Sequence, residues 1–102
     1  MPLVVVAKTV DLPPGSAVQV EVAGRKVALF NLAGNLCAIE DVCPHRGGPL
    51  SEGTVLGEEV ECPWHGARFN LRTGAHLCPP APKGVAAFRV QVAGDEVQVE
   101  MP

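Results

Sequence analysis

Two short segments of this chain combine cysteine and histidine at close spacing. Cys43 and His45 are separated by one residue, Cys62 and His65 by two, and sixteen residues lie between the pairs. Thiolate and imidazole are ligands that select zinc, copper and iron–sulfur clusters. Both segments also contain glycine, which lets a loop backbone approach a bound metal closely. The four side chains therefore form a candidate metal site.

The order of the four ligands bears on the kind of metal. A zinc finger pairs cysteine with cysteine and histidine with histidine, and its histidines lie on a helix. Here each segment supplies one sulfur and one nitrogen, which fits a binuclear cluster with both sulfurs on one iron and both imidazoles on the other. Two alternatives stay open: a structural zinc site on the same residues, and a metal-free fold with two surface histidines.

Strands must position these segments, because the apolar residues elsewhere follow a period of two. Val18, Val20 and Val22 alternate with polar residues, and so do Val97 and Val99. This alternation is typical of a half-buried strand, and no window of ten or more residues shows a sustained helical stripe. The predicted strands are 3–8, 17–22, 26–32, 36–40, 53–56, 59–62, 68–71, 88–92 and 96–100, with turns at 23–24, 33–35 and 94–95. The pattern predicts one small all-β sandwich or barrel.

Size and composition limit the classes of function. A chain of 102 residues is one domain, and 47% hydrophobic with 19% charged residues is a globular composition. The net charge of −3 argues against nucleic-acid and membrane-surface partners. No apolar run exceeds five residues, against about 20 for a membrane span. No secretory signal is visible, so we expect a cytoplasmic protein that uses its cysteines for metal rather than disulfides.

The two segments resemble the paired signature of Rieske-type [2Fe–2S] ferredoxins. They read CPHRGGPL from Cys43 and CPWHGARFNLRTG from Cys62. The resemblance implies one [2Fe–2S] cluster, with Cys43 and Cys62 on the buried iron and His45 and His65 on the outer iron. It also implies that the proline-rich segment at 79–82 covers the cluster.

The same resemblance implies an architecture. We expect an all-β fold, a Rieske-type antiparallel β-sandwich that takes up residues 1–102 as a single domain. A small cluster-binding subdomain formed by the two loops, at about 41–82, would be inserted in the base sandwich.

A cluster whose four ligands all come from the protein has no open position for a substrate, so the implied function is electron transfer, without catalysis by this chain alone. The resemblance implies a soluble, monomeric one-electron carrier between a flavin-containing NAD(P)H reductase and a terminal oxygenase. The alternative is the Rieske-like small subunit of an assimilatory nitrite reductase or another multi-subunit reductase. An oxygenase catalytic subunit is excluded, because its second iron needs two histidines and a carboxylate and only His76 remains.

Two cysteines lie outside the signature. In respiratory and photosynthetic Rieske proteins a disulfide bridges the cluster loops, but the corresponding positions here are Gly48 and Trp64. We therefore predict that Cys37 and Cys78 are buried free thiols rather than a disulfide. We also interpret His76 as a surface residue.

Two further expectations concern the surroundings of the cluster. High-potential family members carry a serine and a tyrosine whose hydroxyls donate to cluster sulfurs, whereas this chain has Ala67 and Phe69 there and no tyrosine. This predicts a reduction potential near the low end of the Rieske range, about −150 to −100 mV.

Six of the acidic residues lie close to the two segments in sequence. We interpret them either as a field that steers a basic partner or as an ordinary solvated surface. They are Glu40, Asp41, Glu52, Glu58, Glu59 and Glu61.

Overall fold

Strands make up nearly all the regular structure. The computed structural model describes residues 3–22, 24–41, 49–63, 67–78 and 84–100, with the backbone alone at 76–78. Within these ranges the strands are β1 (Leu3–Lys8), β2 (Ala17–Val22), β3 (Arg25–Leu32), β4 (Asn35–Glu40), β5 (Thr54–Leu56), β6 (Glu59–Glu61), β7 (Arg68–Asn70), β8 (His76–Cys78), β9 (Ala87–Phe88), β10 (Val90–Ala93) and β11 (Glu96–Glu100). Two single 3-10 turns lie at Thr9–Asp11 and Leu50–Glu52. Among the described residues no helix is long and apolar enough to cross a membrane.

The strands form three antiparallel sheets. Their strand orders are β1-β11-β10, β2-β3-β4-β9 and β5-β6-β7-β8. The predicted turn at 94–95 is confirmed, because Ala93 pairs with Glu96 and leaves two residues between β10 and β11. Gly94 has a φ of 62°, a left-handed conformation that glycine adopts without steric cost. The predicted all-β antiparallel fold class is confirmed.

The second sheet is central and is buried on both faces. Val27 and Leu29 of β3 pack with Val97 and Val99 of β11 on one side. Ala28 and Phe30 belong to a separate buried cluster on the other side, together with residues of the third sheet. β3 is therefore apolar on both faces, and it anchors the third sheet to the base of the molecule.

The third sheet comes from the chain between β4 and β9. Its strand β7 belongs to the second signature segment, and the sheet lies on one face of the central sheet. The predicted subdomain limits, about 41 and 82, fall beside or inside segments that lie outside the described residues. Those limits stay a prediction.

Three predicted elements differ from the observed ones. The prolines around 79–82 predict a loop over 77–84, and this is wrong at residues 77 and 78, because 76–78 form edge strand β8 on β7. The turn predicted at 33–35 is shorter, because Asn35 already pairs with Leu32. The strand predicted at 88–92 is divided at Arg89: β9 pairs with β4, whereas β10 pairs with β11. In each case the pairing between strands decides the element, and local alternation does not reveal it.

Candidate metal centre

Of the four candidate ligands, the structure describes Cys62. Cys43, His45 and His65 lie outside the described residues, so their ligand roles stay predictions. The side chains of His76 and Cys78 are likewise not described, nor is Trp64. Among the described residues no group of three or more His, Cys, Asp or Glu side chains is placed to hold a metal ion. The described residues do show how the base of each loop is built.

Cys62 follows β6 directly and is 2% exposed. Its backbone N–H donates to the carbonyl of Ala67 at 2.7 Å, which closes the base of the second loop. Its neighbours in the buried cluster include Leu50, Ala67 and Phe69. A thiolate in such apolar surroundings would be costly without a cation, because burial disfavours an uncompensated charge. A soft sulfur ligand to a buried iron fits this position.

The first loop is closed at its base by Asp41 and Ser51. The Asp41 side chain is 1% exposed. Its Oδ1 accepts a hydrogen bond from the Ser51 N–H at 2.6 Å, and its Oδ2 accepts one from the Ser51 hydroxyl at 2.5 Å. Gln19 of β2 donates to the same Oδ2 at 2.6 Å. Asp41 is therefore a buried structural group and does not contribute to an exposed acidic field.

The segment after the proline-rich loop is held against the turn between β7 and β8. Val85 N–H donates to the Gly74 carbonyl at 2.7 Å. A Cβ on Gly74 would lie 1.9 Å from the Val85 oxygen, and one on Gly84 would lie 2.5 Å from the Gly74 oxygen. Both positions require glycine because the two backbones touch there.

The bases of all three loops pack into the same hydrophobic cluster of buried residues, the one that contains Cys62. Leu50 follows the first loop, Cys62 and Ala67 flank the second, and Val85 follows the third. Hydrophobic packing thus brings together segments that are far apart in sequence. The sulfur donor already buried in this cluster and the loops that emerge from it fit the proposed four-ligand set.

The positions expected to tune the potential lie beside Cys62. Ala67 and Phe69 are completely buried in the cluster that contains Cys62. Neither side chain carries a hydrogen-bond donor. At these positions the chain therefore supplies no hydroxyl to a sulfur.

Cys37 lies in β4, within the same cluster. It is a free thiol and 8% exposed, which confirms the expectation for this residue. Burial raises the pKa of the thiol, Arg72 opposes that shift and Glu58 adds to it.

Sequence reasoning missed Asp41, Gly74 and Gly84 as residues that hold the loops. An aspartate after a strand has no pattern that reveals its burial. The close approach of Gly74 to Val85 is a contact between segments eleven residues apart and has no local signal.

The comparisons with known proteins agree on one family. The sequence model of the Rieske [2Fe–2S] domain matches residues 2–89. The chain is 35% identical over 91 residues to the ferredoxin component of the naphthalene 1,2-dioxygenase/salicylate 5-hydroxylase systems of a Ralstonia species, covering 89% of this chain and 88% of that protein. The ferredoxin of carbazole 1,9a-dioxygenase from Nocardioides aromaticivorans IC177 has a TM-score of 0.92 and 34% identity, with 100% of both chains covered.

Two further solved structures represent two settings for such a protein. One is a chain from the complex of reduced oxygenase and oxidized ferredoxin in carbazole 1,9a-dioxygenase, with a TM-score of 0.87, 35% identity and coverage of 95% of this chain and 91% of that one. The other is named as an NADH-dependent nitrite reductase small subunit from Mycobacterium tuberculosis, with a TM-score of 0.85, 28% identity and coverage of 96% and 93%.

Proposed function

This chain belongs to the Rieske [2Fe–2S] domain family, and we propose that it is the one-electron carrier of an oxygenase system, a ferredoxin that is not catalytic alone. The main support is the match over the full length of ferredoxins: the Nocardioides protein and this chain cover each other completely, at 100%. A second support is that the bases of the three loops pack into the hydrophobic cluster that contains Cys62, because a carrier needs such a scaffold to hold its ligand loops together.

We propose that Cys43, His45, Cys62 and His65 hold the family's [2Fe–2S] cluster. When bound, the cluster accepts and releases one electron. Cys62 would keep its sulfur in an apolar, water-excluded position, and the hydrogen bond from Cys62 to Ala67 would hold that sulfur at the loop base. With every ligand supplied by the protein, the site has no open position for a substrate.

We propose that the electron donor is a flavin-containing NAD(P)H reductase and that the acceptor is a terminal oxygenase. The complex of oxygenase with ferredoxin in carbazole 1,9a-dioxygenase, whose matching chain is 35% identical to this one, supports the oxygenase as acceptor. We further propose a monomer in the cytoplasm, without nucleic-acid or membrane partners.

The alternative function is the small subunit of a nitrite reductase. The Mycobacterium tuberculosis structure supports it, at 28% identity, a lower value than the 35% of the dioxygenase ferredoxin component. The two functions differ in assembly. A carrier elutes as a monomer from a size-exclusion column, whereas a subunit copurifies with a much larger chain from its native source.

Metal analysis and spectroscopy of the purified protein test the proposal. We expect about two iron and two acid-labile sulfide per chain, and a Rieske-type EPR signal after reduction by dithionite. Cys43→Ala, His45→Ala, Cys62→Ala and His65→Ala should each abolish or cripple cluster assembly. Cys37→Ser is the matched control and should keep the full visible absorption. Zinc without acid-labile sulfide would overturn the proposal.

A further inference from the structure

We propose that Asp41 is a positioning residue for the cluster, because its carboxylate ties the two ends of the first ligand loop to each other and to the base of the molecule. The inference rests on the proposed function, since it assumes that Cys43 is a ligand. Cys43 follows Asp41 by two residues, so a displacement of Asp41 is transmitted to the ligand through one intervening residue.

The geometry at Asp41 is that of a fastening between three segments. Asp41 directly follows β4, Ser51 lies beyond the first loop, and Gln19 belongs to β2. The carboxylate accepts from Ser51 twice, at 2.6 and 2.5 Å, and from Gln19 at 2.6 Å. The Asp41 N–H donates to the Lys26 carbonyl of β3 at 3.0 Å. Both sides of the loop are thus connected to the central sheet through one side chain.

Because Asp41 is buried, its carboxylate needs these hydrogen bonds to replace its contacts with water. At 1% exposure the carboxylate has lost its contact with water, and no basic side chain among the described residues forms an ion pair with it. Its compensation comes from hydrogen-bond donors whose directions are fixed by the backbone and by Gln19. Hydrogen bonds to a charged acceptor are short and strong, and removing one partner leaves the other group unsatisfied in the interior.

The neighbouring carboxylate, that of Glu40, contacts a different segment of the chain from Asp41. Glu40 accepts from the Ala86 N–H at 2.8 Å and lies 3.6 Å from Arg25, so it holds the chain that returns after the proline-rich loop. Glu40 is partly exposed, whereas Asp41 is enclosed. Of these two carboxylates, only Asp41 hydrogen-bonds to Ser51 and so connects the two ends of the first loop.

Three variants test the proposal in the cluster-bearing protein. Asp41→Ala removes all three side-chain bonds, and Ser51→Ala removes the hydroxyl bond and keeps the N–H bond. Asp41→Asn keeps the shape, removes the charge and replaces one of the two acceptor oxygens with an NH2 donor, which opposes either the Ser51 N–H or the Gln19 amide. Asp95→Asn is the control, because it removes the same charge from an exposed turn where the side chain is 75% accessible. The measurements are the rate at which visible absorption bleaches at fixed temperature, the EPR g values, the reduction potential and the far-UV circular dichroism melting curve.

We expect Asp41→Ala to lose its cluster about tenfold faster or more, as the loss of hydrogen bonds to a charged group implies. Ser51→Ala should show a smaller acceleration in the same direction. Both should have shifted EPR g values at temperatures where the fold is intact. Asp41→Asn should have a raised potential, because a nearby negative charge opposes the uptake of an electron. Asp95→Asn should match the wild type in bleaching rate and g values.

Two results would overturn the proposal. One is a wild-type bleaching rate and EPR spectrum in Ser51→Ala and Asp41→Asn, which decides the matter even where Asp41→Ala fails to fold. The other is bleaching that follows the melting curve while the g values of the folded variants stay unchanged, since Asp41 would then act on stability alone. Failure of the proposed function is a separate result, because it appears as a wild-type protein without iron and sulfide.

Discussion

Residues 67 and 69 place two groups without donors beside Cys62. Hydroxyls at these positions would donate to the sulfurs and stabilise the reduced, more negative state. We predict that Ala67→Ser with Phe69→Tyr raises the reduction potential above that of the wild type, which we predict to lie at about −150 to −100 mV. An EPR-monitored redox titration measures the change.

The control for this pair is Phe88→Tyr, which adds a hydroxyl to a half-buried side chain of β9 that packs against the other buried cluster. It should leave the potential unchanged. A buried hydroxyl that finds no acceptor destabilises the fold, so a double variant with a lower melting temperature and an unchanged potential would contradict the prediction. So would a wild-type potential above about +100 mV.

The buried thiol of Cys37 gives a pH dependence with a definite sign. Burial raises the pKa of Cys37, so above the ordinary thiol pKa of about 8.5 the unfolded chain releases a proton that the native chain keeps. The contribution of Cys37 to stability is complete below that pH and decreases as the pH rises through the native pKa. We predict that the fall in melting temperature between pH 7 and about pH 9.5 is smaller in Cys37→Ala than in the wild type. Equal falls in the two proteins would show that Cys37 does not contribute.

At the scale of elements, two glycines have similar backbone conformations but differ in the space available for a side chain. Gly74 has a φ of 77° and Gly57 a φ of 63°. A Cβ at Gly57 meets nothing within 4 Å, whereas one at Gly74 would lie 1.9 Å from the Val85 oxygen.

We predict that Gly57→Ala lowers the free energy of unfolding by about 1–2 kcal/mol, the cost of a left-handed conformation. Gly74→Ala should cost about 1–3 kcal/mol more, because the backbone at Val85 must move. Thermal melts measure both variants, and visible absorption shows whether the displaced loop still allows cluster retention. Similar melting temperatures would mean that the contact between Gly74 and Val85 relaxes freely.

The strands themselves were predictable where alternation is strong. β2 and β11 have the bounds that period two predicts, and β1 has the bounds predicted for its apolar run. β8 was missed because a three-residue edge strand is formed by its pairing with β7, and not by its own composition. The division at Arg89 was missed because alternation continues through it while the hydrogen-bonding partner changes from β4 to β11.

At the scale of the whole molecule, the structure leaves fewer exposed, unpaired acidic side chains than the steering hypothesis requires. Glu58 lies 3.0 Å from Arg72, Glu61 lies 3.4 Å from Arg68, and Glu40 lies 3.6 Å from a third arginine. Three of the six acidic groups are thus paired with arginines of this chain, and a fourth, Asp41, is buried and not part of the exposed surface. This favours an ordinary paired surface over a steering field.

We therefore predict that the rate of electron transfer to a redox partner depends weakly on salt. Steered association loses about 10- to 1,000-fold as salt rises, and we expect a change below about tenfold between low and high ionic strength. Stopped-flow reduction of the partner measures the rate. A larger decrease would restore the steering hypothesis.

The sequence by itself determined the chemistry and the fold class. Ligand types at the spacing of Cys43, His45, Cys62 and His65 specify a family, and alternation specifies strands, because both signals are local. Only the tertiary structure decided that Asp41 is buried against Ser51, that Gly74 touches Val85 and that the three loop bases share one cluster. Each of these depends on contacts between segments that are distant along the chain, and their burial comes from packing that no local pattern records.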